Sequence, residues 1–172
     1  MAHILLAEAV KLKSILLKRV QELEMEIMRV GFTVIEKATL PAPPIRTVEA
    51  IDIEMNDIRN DIRKLDRLIY EANLNNTITY KEDPLTIVEA IELATQLRAQ
   101  ARVYKQLGSH EKQRIQFGGY GEGTTYVEVA LYEPEEYRKK ALDFEKDANK
   151  LSGLINAKNY SVTIAFDEEK YA

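Results

Sequence analysis

Apolar side chains recur along the first 30 residues at positions 5, 9, 12, 16, 20, 23, 27 and 30. Steps of three and four keep them on one face, which predicts a helix from about Ile4 to Val30. A second stretch is more regular. Ile51, Met55, Ile58, Ile62, Leu65, Ile69 and Ala72 alternate steps of four and three, a heptad seam with Asp57, Arg59, Asp61 and Arg63 outside it. Positions 87, 90, 94, 97, 101 and 104 make a third seam, and Tyr137, Ala141, Phe144, Ala148, Leu151 and Ile155 a fourth. Four seams predict four long helices.

The predicted boundaries have local causes. Thr86-Ile87-Val88-Glu89 has capping-box spacing. Glu133-Pro134-Glu135-Glu136 puts proline and acids in a first turn, where the missing N–H costs little and the helix dipole favours negative charge. Pro41-Ala42-Pro43-Pro44 cannot be helical and reads as a stiff connector. Strand composition appears at 32–36, 76–80, 124–129 and 161–166, so each half reads helix, strand, helix, strand. Short ladders are marginal alone, which predicts that these strands meet in one small sheet at an end of the bundle.

The halves are copies. Lys64-Leu65-Asp66-Arg67-Leu68-Ile69 matches Lys150-Leu151-Ser152-Gly153-Leu154-Ile155 at an offset of 86, half of the 172 residues. Leu6-Ala7-Glu8-Ala9-Val10-Lys11-Leu12 matches Ile87-Val88-Glu89-Ala90-Ile91-Glu92-Leu93 at 81, so copy two holds five extra residues between its matched segments. The expected fold is therefore mainly α: duplicated helical hairpins, four long helices in an antiparallel bundle or coiled coil, with short β-strands at one end. Residues 1–83 and 84–172 form the two repeats of one domain. A first helix of about 40 Å and strand edges rich in Val and Ile predict a homo-oligomer.

Composition narrows the functional classes. The net charge of −4 argues against a nucleic-acid polymer as partner. The absence of cysteine excludes disulfides, thiolate zinc sites and a cysteine nucleophile. Glu8, Lys11 and Lys13 interrupt the apolar Ile4-Leu5-Leu6 too soon for a signal sequence or a membrane span, so a cytoplasmic protein is expected.

Leu6-Ala7-Glu8-Ala9, followed by a long helix ending in Lys64-Leu65, Leu68-Ile69, Asn73 and Asn76-Thr77, resembles the septicolysin-like family of small helical proteins found in bacteria and their phages. The resemblance spans most of the chain and implies a helical, oligomeric protein. It carries over no catalytic residue, and lysis does not fit a chain with no cysteine and no membrane-inserting stretch.

Candidate chemistry concentrates where the copies differ most. Arg98, Arg102, Lys105, Lys112 and Arg114 stand against a single acid, Glu111, and lead into the Gly-rich run 117–123. Arginines fork onto phosphates, glycines let backbone N–H groups approach an anion, and tyrosines stack on bases. Arg102, Lys105, Lys112, Arg114, Tyr120 and Tyr126 are accordingly the candidate ligand-binding residues; the competing reading is a loop capping the bundle with a solvated charged face. Asn73 and Asn159 read as helix C-terminal caps. His3 and His110 lack ligand spacing, so no metal is expected. Asp57/Asp61 and Glu22/Glu26 read as solvated faces. No nucleophile motif and no cofactor fingerprint appears. The sequence thus points to a non-enzymatic oligomeric protein, in its most concrete form a phage product, sequestering a small anionic nucleotide-type ligand such as an immune signal. The alternative is a structural or assembly protein acting through protein–protein contacts.

Overall fold

The computed structural model describes residues 2–116 and 123–171. Tyr120 lies outside them. Among the described residues the protein is mainly helical: α1 (Leu6–Val30), α2 (Val48–Asn75), α3 (Ile87–Gly108) and α4 (Pro134–Asn159) stand where the four seams predict. Short strands accompany them: β1 (Ile4–Leu5), β2 (Thr77–Tyr80), β3 (Asp83–Thr86), β4 (Gln113–Gln116), β5 (Tyr126–Val129) and β6 (Thr163–Ile164), followed by one 3₁₀ turn, Glu169–Tyr171. The helix starts follow their capping chemistry. Thr47 Oγ1 accepts from Ala50 N at 3.1 Å. Thr86 and Glu89 close the predicted box, with Thr86 N donating to Glu89 Oε2 at 2.8 Å.

Two compact units make up the chain, Met1–Asn76 with Lys158–Ala172 (unit 1) and Thr77–Ala157 (unit 2). These cuts differ from the repeat border at 83/84, because β2, which closes copy one, belongs to unit 2, and β6, which closes copy two, belongs to unit 1. The ladders explain the exchange. In β1–β6, Ile4 pairs with Ile164 and Leu5 with Thr163; in β3–β2, Leu85 pairs with Ile78 and Thr86 with Thr77. Offsets of 81 and 86 convert one set of pairs into the other, so the duplication extends to strand register. Each copy gives its last strand to the first strand of the other.

The strands do not join one sheet. They form three separate two-stranded ladders. In unit 2 the β2–β3 ladder leads into the N-terminus of α3 and β4 follows its C-terminus, so these two stand at opposite ends of that helix. Local closure accounts for β2–β3 and β4–β5, neighbouring segments that pair at little loop entropy, whereas β1–β6 joins segments far apart in sequence. The β2–β3 turn is just Lys81-Glu82, both left-handed at φ 48° and 72°, as a two-residue hairpin of the type I′ kind demands. The predicted strand at 32–36 is absent.

Each unit packs an antiparallel helix pair. In unit 1, Leu6, Leu16, Leu23, Ile51 and Leu65 are completely buried, each such burial being worth about 1.5–3 kcal/mol. Across that pair Arg19 bonds Glu54 at 2.9 Å, Arg59 bonds Glu24 at 2.8 Å and Arg46 bonds Glu26 at 3.1 Å. In unit 2 the core is Ile78, Tyr80, Ala90, Ala94 and Leu151, with Leu93, Leu97, Leu154 and Ile155 packed half-buried against it. The far end of α3 is held by the next segment: Tyr132 Oη donates to Leu107 O at 2.8 Å, and Arg138 Nη2 to Gly108 O at 2.8 Å. Gly108 is required there, since a Cβ would come within 2.8 Å of the Arg138 backbone nitrogen.

Two sequence expectations are corrected. Asp61 is not on a solvated face: it is 8% exposed, the one buried charged residue among those described. Its burial is compensated by Tyr171 Oη at 2.5 Å, Lys170 Nζ at 2.9 Å and Lys64 Nζ at 3.3 Å. Asn73 does not cap α2; Asn76 does, in an extended conformation, with its Nδ2 donating to Ala72 O at 2.8 Å.

Candidate functional site

Arg98, Arg102 and Lys105 recur at i, i+4 and i+7 on α3, which places them along one helix face. Together with Glu145 and Asn149, one turn apart on α4, they line a cleft of about 410 Å³ whose remaining walls are Ala101 and Ala148. Both alanines are buried. Three cations thus meet one carboxylate over a floor of two methyl groups. Arg98 is positioned by Ser152 Oγ, to which its Nη2 donates. Between α3 and α4, aromatic rings meet edge to face, with Tyr104 5.3 Å from Tyr137 and 5.2 Å from Phe144.

The repeat makes this cleft interpretable. Ala101 corresponds to Val20 and Ala148 to Ile62, so the floor consists of two large-to-small exchanges. Lys105 corresponds to Glu24, and Glu145 to Arg59, the pair that bridges α1 and α2 at 2.8 Å. Arg98 and Arg102 correspond to Leu17 and Gln21. Unit 2 therefore has both a recess and a surplus of positive charge where unit 1 has filled volume and a balanced ion pair.

Of the six candidate residues, Arg102 and Lys105 line the cleft. Lys112, Arg114 and Tyr126 do not; they belong to the β4–β5 hairpin and its base. Lys112 Nζ donates to Tyr132 O at 2.7 Å and lies 3.8 Å from Glu133. Arg114 stands opposite Glu128, and Gln116 opposite Tyr126, on one face of the hairpin. Gln116 Nε2 also bonds Glu128 Oε2 at 3.0 Å, so this face is mixed in charge rather than cationic. Its other face carries Ile115, Val127 and Val129, all exposed. The sequence reading left Arg98, Glu145 and Asn149 out of the site. The signal that finds them is the position-by-position comparison of the copies, in which a buried valine and a half-buried isoleucine become alanine beside charges of reversed sign.

Among the described residues no cluster of His, Asp or Glu could hold a metal ion, and no helix is long and apolar enough to cross a membrane. The chain matches no family model and no curated protein. It is similar in structure to a functionally unknown conserved protein from Corynebacterium diphtheriae, at 20% sequence identity and a TM-score of 0.67, covering 95% of this chain and 99% of that one. This is a likeness of fold.

Proposed function

We propose that the protein is a non-enzymatic binding protein that captures a small phosphorylated, nucleotide-type ligand in the α3–α4 cleft of unit 2. The observation that carries this reading is the recess over Ala101 and Ala148, ringed by Arg98, Arg102 and Lys105, at positions where the other repeat is filled and charge-balanced. Two guanidinium groups and an ammonium suit phosphate oxygens, and Glu145 and Asn149 supply acceptors for the sugar or base of such a ligand. A cytoplasmic role in intercepting a nucleotide signal, as a septicolysin-like bacterial or phage protein, is the corresponding biology.

Isothermal titration against mononucleotides, cyclic dinucleotides and ADP-ribose derivatives tests it. Saturable binding to at least one is expected, with Arg102→Ala weakening it more than tenfold and Arg59→Ala leaving it unchanged. Truncating a desolvated charge partner costs about 2–5 kcal/mol. Silent titrations with folded protein, or equal losses from both substitutions, overturn the reading.

A second reading, a structural or assembly protein, is favoured by one observation: the exposed Ile115, Val127 and Val129 face of the hairpin. If Arg114→Ala with Tyr120→Ala leaves small-molecule binding intact but changes the proteins retained in a pull-down, the hairpin serves partners and not the ligand.

A further inference from the structure

The connector between α1 and α2, residues 31–47, is neither helix nor strand, and residues 31–45 are exposed without a break. Loops of this length without secondary structure are uncommon in compact domains and are usually either functional or linker segments. Its apolar content is high: Phe32 is 76% exposed, Val34 98% and Leu40 93%, with Ile35 and Ile45 also exposed. Phe32-Thr33-Val34-Ile35 has the aromatic and β-branched composition of a strand. Among the described residues its backbone pairs with nothing. The run ends at a turn, where Thr39 N donates to Glu36 O at 3.0 Å and Ala38 takes φ 70°.

The second repeat shows what is missing. With its five extra residues assigned to 117–125, offset 81 aligns Phe32–Ile35 with β4, and offset 86 aligns Leu40–Pro43 with β5. In copy two these segments pair with each other. In copy one the second segment is Leu40-Pro41-Ala42-Pro43, and proline has no N–H to give a ladder. The two arms instead flank an open groove of about 840 Å³, with Phe32 and Thr33 on one side and Pro41, Pro43 and Ile45 on the other. Copy one has kept the strand composition and lost the partner strand.

We propose that Phe32–Glu36 becomes a strand by pairing antiparallel with the same segment of a second copy of this chain. The segment is its own complement. Full overlap of 32–36 centres on Val34, setting Val34 against Val34 of the other copy, Thr33 against Ile35 and Phe32 against Glu36, with β-branched pairs at the middle. Such a contact uses one patch twice and closes at two chains. The prolines that prevent pairing within the chain leave this segment open for it.

Sedimentation of the full chain at micromolar concentration tests it. The wild type is expected as a dimer and Val34→Pro, which removes the central N–H at an exposed position, as a 19.7 kDa monomer with an unchanged helical spectrum. The chain has no cysteine, so Val34→Cys introduces the sole thiol. It should cross-link to a covalent dimer on mild oxidation, whereas Leu131→Cys, equally exposed, should not. A monomeric wild type, a dimeric Val34→Pro, or cross-linking at Leu131→Cys matching that at Val34→Cys overturns the proposal.

Discussion

Leu65 in unit 1 and Leu151 in unit 2 occupy equivalent repeat positions and both are completely buried, yet their surroundings differ. Along the unit 1 seam the side chains are aliphatic, with Leu16, Leu23, Ile51, Met55 and Ile58 buried. The corresponding positions in unit 2 are Leu97, Tyr104, Tyr137, Ala141 and Phe144, of which only the alanine is buried. One heptad plan thus supports an aliphatic pair of helices and a pair in which aromatic rings and alanines share the seam. The difference teaches where a duplicated fold can acquire a site. The seam preserves the helices, and large-to-small exchange beside charges of reversed sign accompanies a charged recess.

The largest effect should come from the shared leucine. Leu65→Ala should cost about 4–5 kcal/mol, near the upper end for such truncations, because its neighbours are buried and cannot collapse into the cavity. Leu151→Ala should cost about 3 kcal/mol, since the half-buried Leu154 and Ile155 can shift toward the space. Urea unfolding of both variants measures the contrast. Equal losses would show that the two cores are equally rigid.

Next come the aspartates. Asp61 and Asp147 are equivalent at offset 86, and each takes a lysine from the segment following the last strand of the other copy: Lys170 at 2.9 Å and Lys81 at 2.5 Å. Burial pushes the Asp61 carboxyl up, but the bonds from Tyr171, Lys170 and Lys64 outweigh it and hold it below the usual carboxylate range. Asp61→Ala should therefore cost about 2–3 kcal/mol, as losing hydrogen bonds to a charged group does. Asp147→Ala should cost far less, its lysine being largely exposed. The pH signature follows from the directions. A depressed acid contributes stability above its unfolded value near 4 and loses it as pH falls through the lower folded value. Tyr171, raised to about 12 first by burial and then by Asp61, contributes fully below 10 and loses that as pH rises toward 12. Both flanks of the stability profile should flatten in Asp61→Ala.

That aspartate marks the limit of sequence reading. The seams placed all four helices because periodicity reports burial directly, and Thr86, Pro134 and Pro41–Pro44 marked boundaries through local chemistry. Asp61 was misread because what compensates it comes from Lys170 and Tyr171, more than 100 residues away, which no local pattern contains. Pairing failed for the same reason: strand composition at 32–36 is real, but a ladder needs a second strand, and Pro41 and Pro43 occupy its place. Arg102 and Lys105 were legible as a basic face, while the recess beside them depends on Ala101 and Ala148, which carry no chemistry of their own.

A substitution at the recess tests that dependence. Ala148→Ile restores the residue type of its equivalent, Ile62, and fills the floor while leaving every cation in place. Nucleotide binding should weaken at least tenfold, about 1.4 kcal/mol, with helical content unchanged. Ile62→Ala in unit 1 should leave binding untouched. Unchanged binding in Ala148→Ile would place the ligand elsewhere.

The smallest effect concerns the β2–β3 ladder, which closes through a two-residue turn. The pairs Ile78–Leu85 and Thr77–Thr86 have their equivalents in Ile164–Ile4 and Thr163–Leu5, but only β2 and β3 are joined directly, through left-handed Lys81 and Glu82. A left-handed L-residue is strained by about 1–2 kcal/mol, and glycine removes that strain at an entropic cost of about 0.5–1 kcal/mol in the unfolded chain. Glu82→Gly should therefore stabilise the protein by about 0.5–1 kcal/mol, whereas Lys81→Gly should not, because it also removes the bond to Asp147. Hydrogen exchange localises the gain. Slower exchange in β2–β3 with unchanged exchange in β1–β6 is expected, because the relieved strain belongs to the turn. Equal slowing in both ladders would mean that the two equivalent pairings, despite lying in different units, open as one.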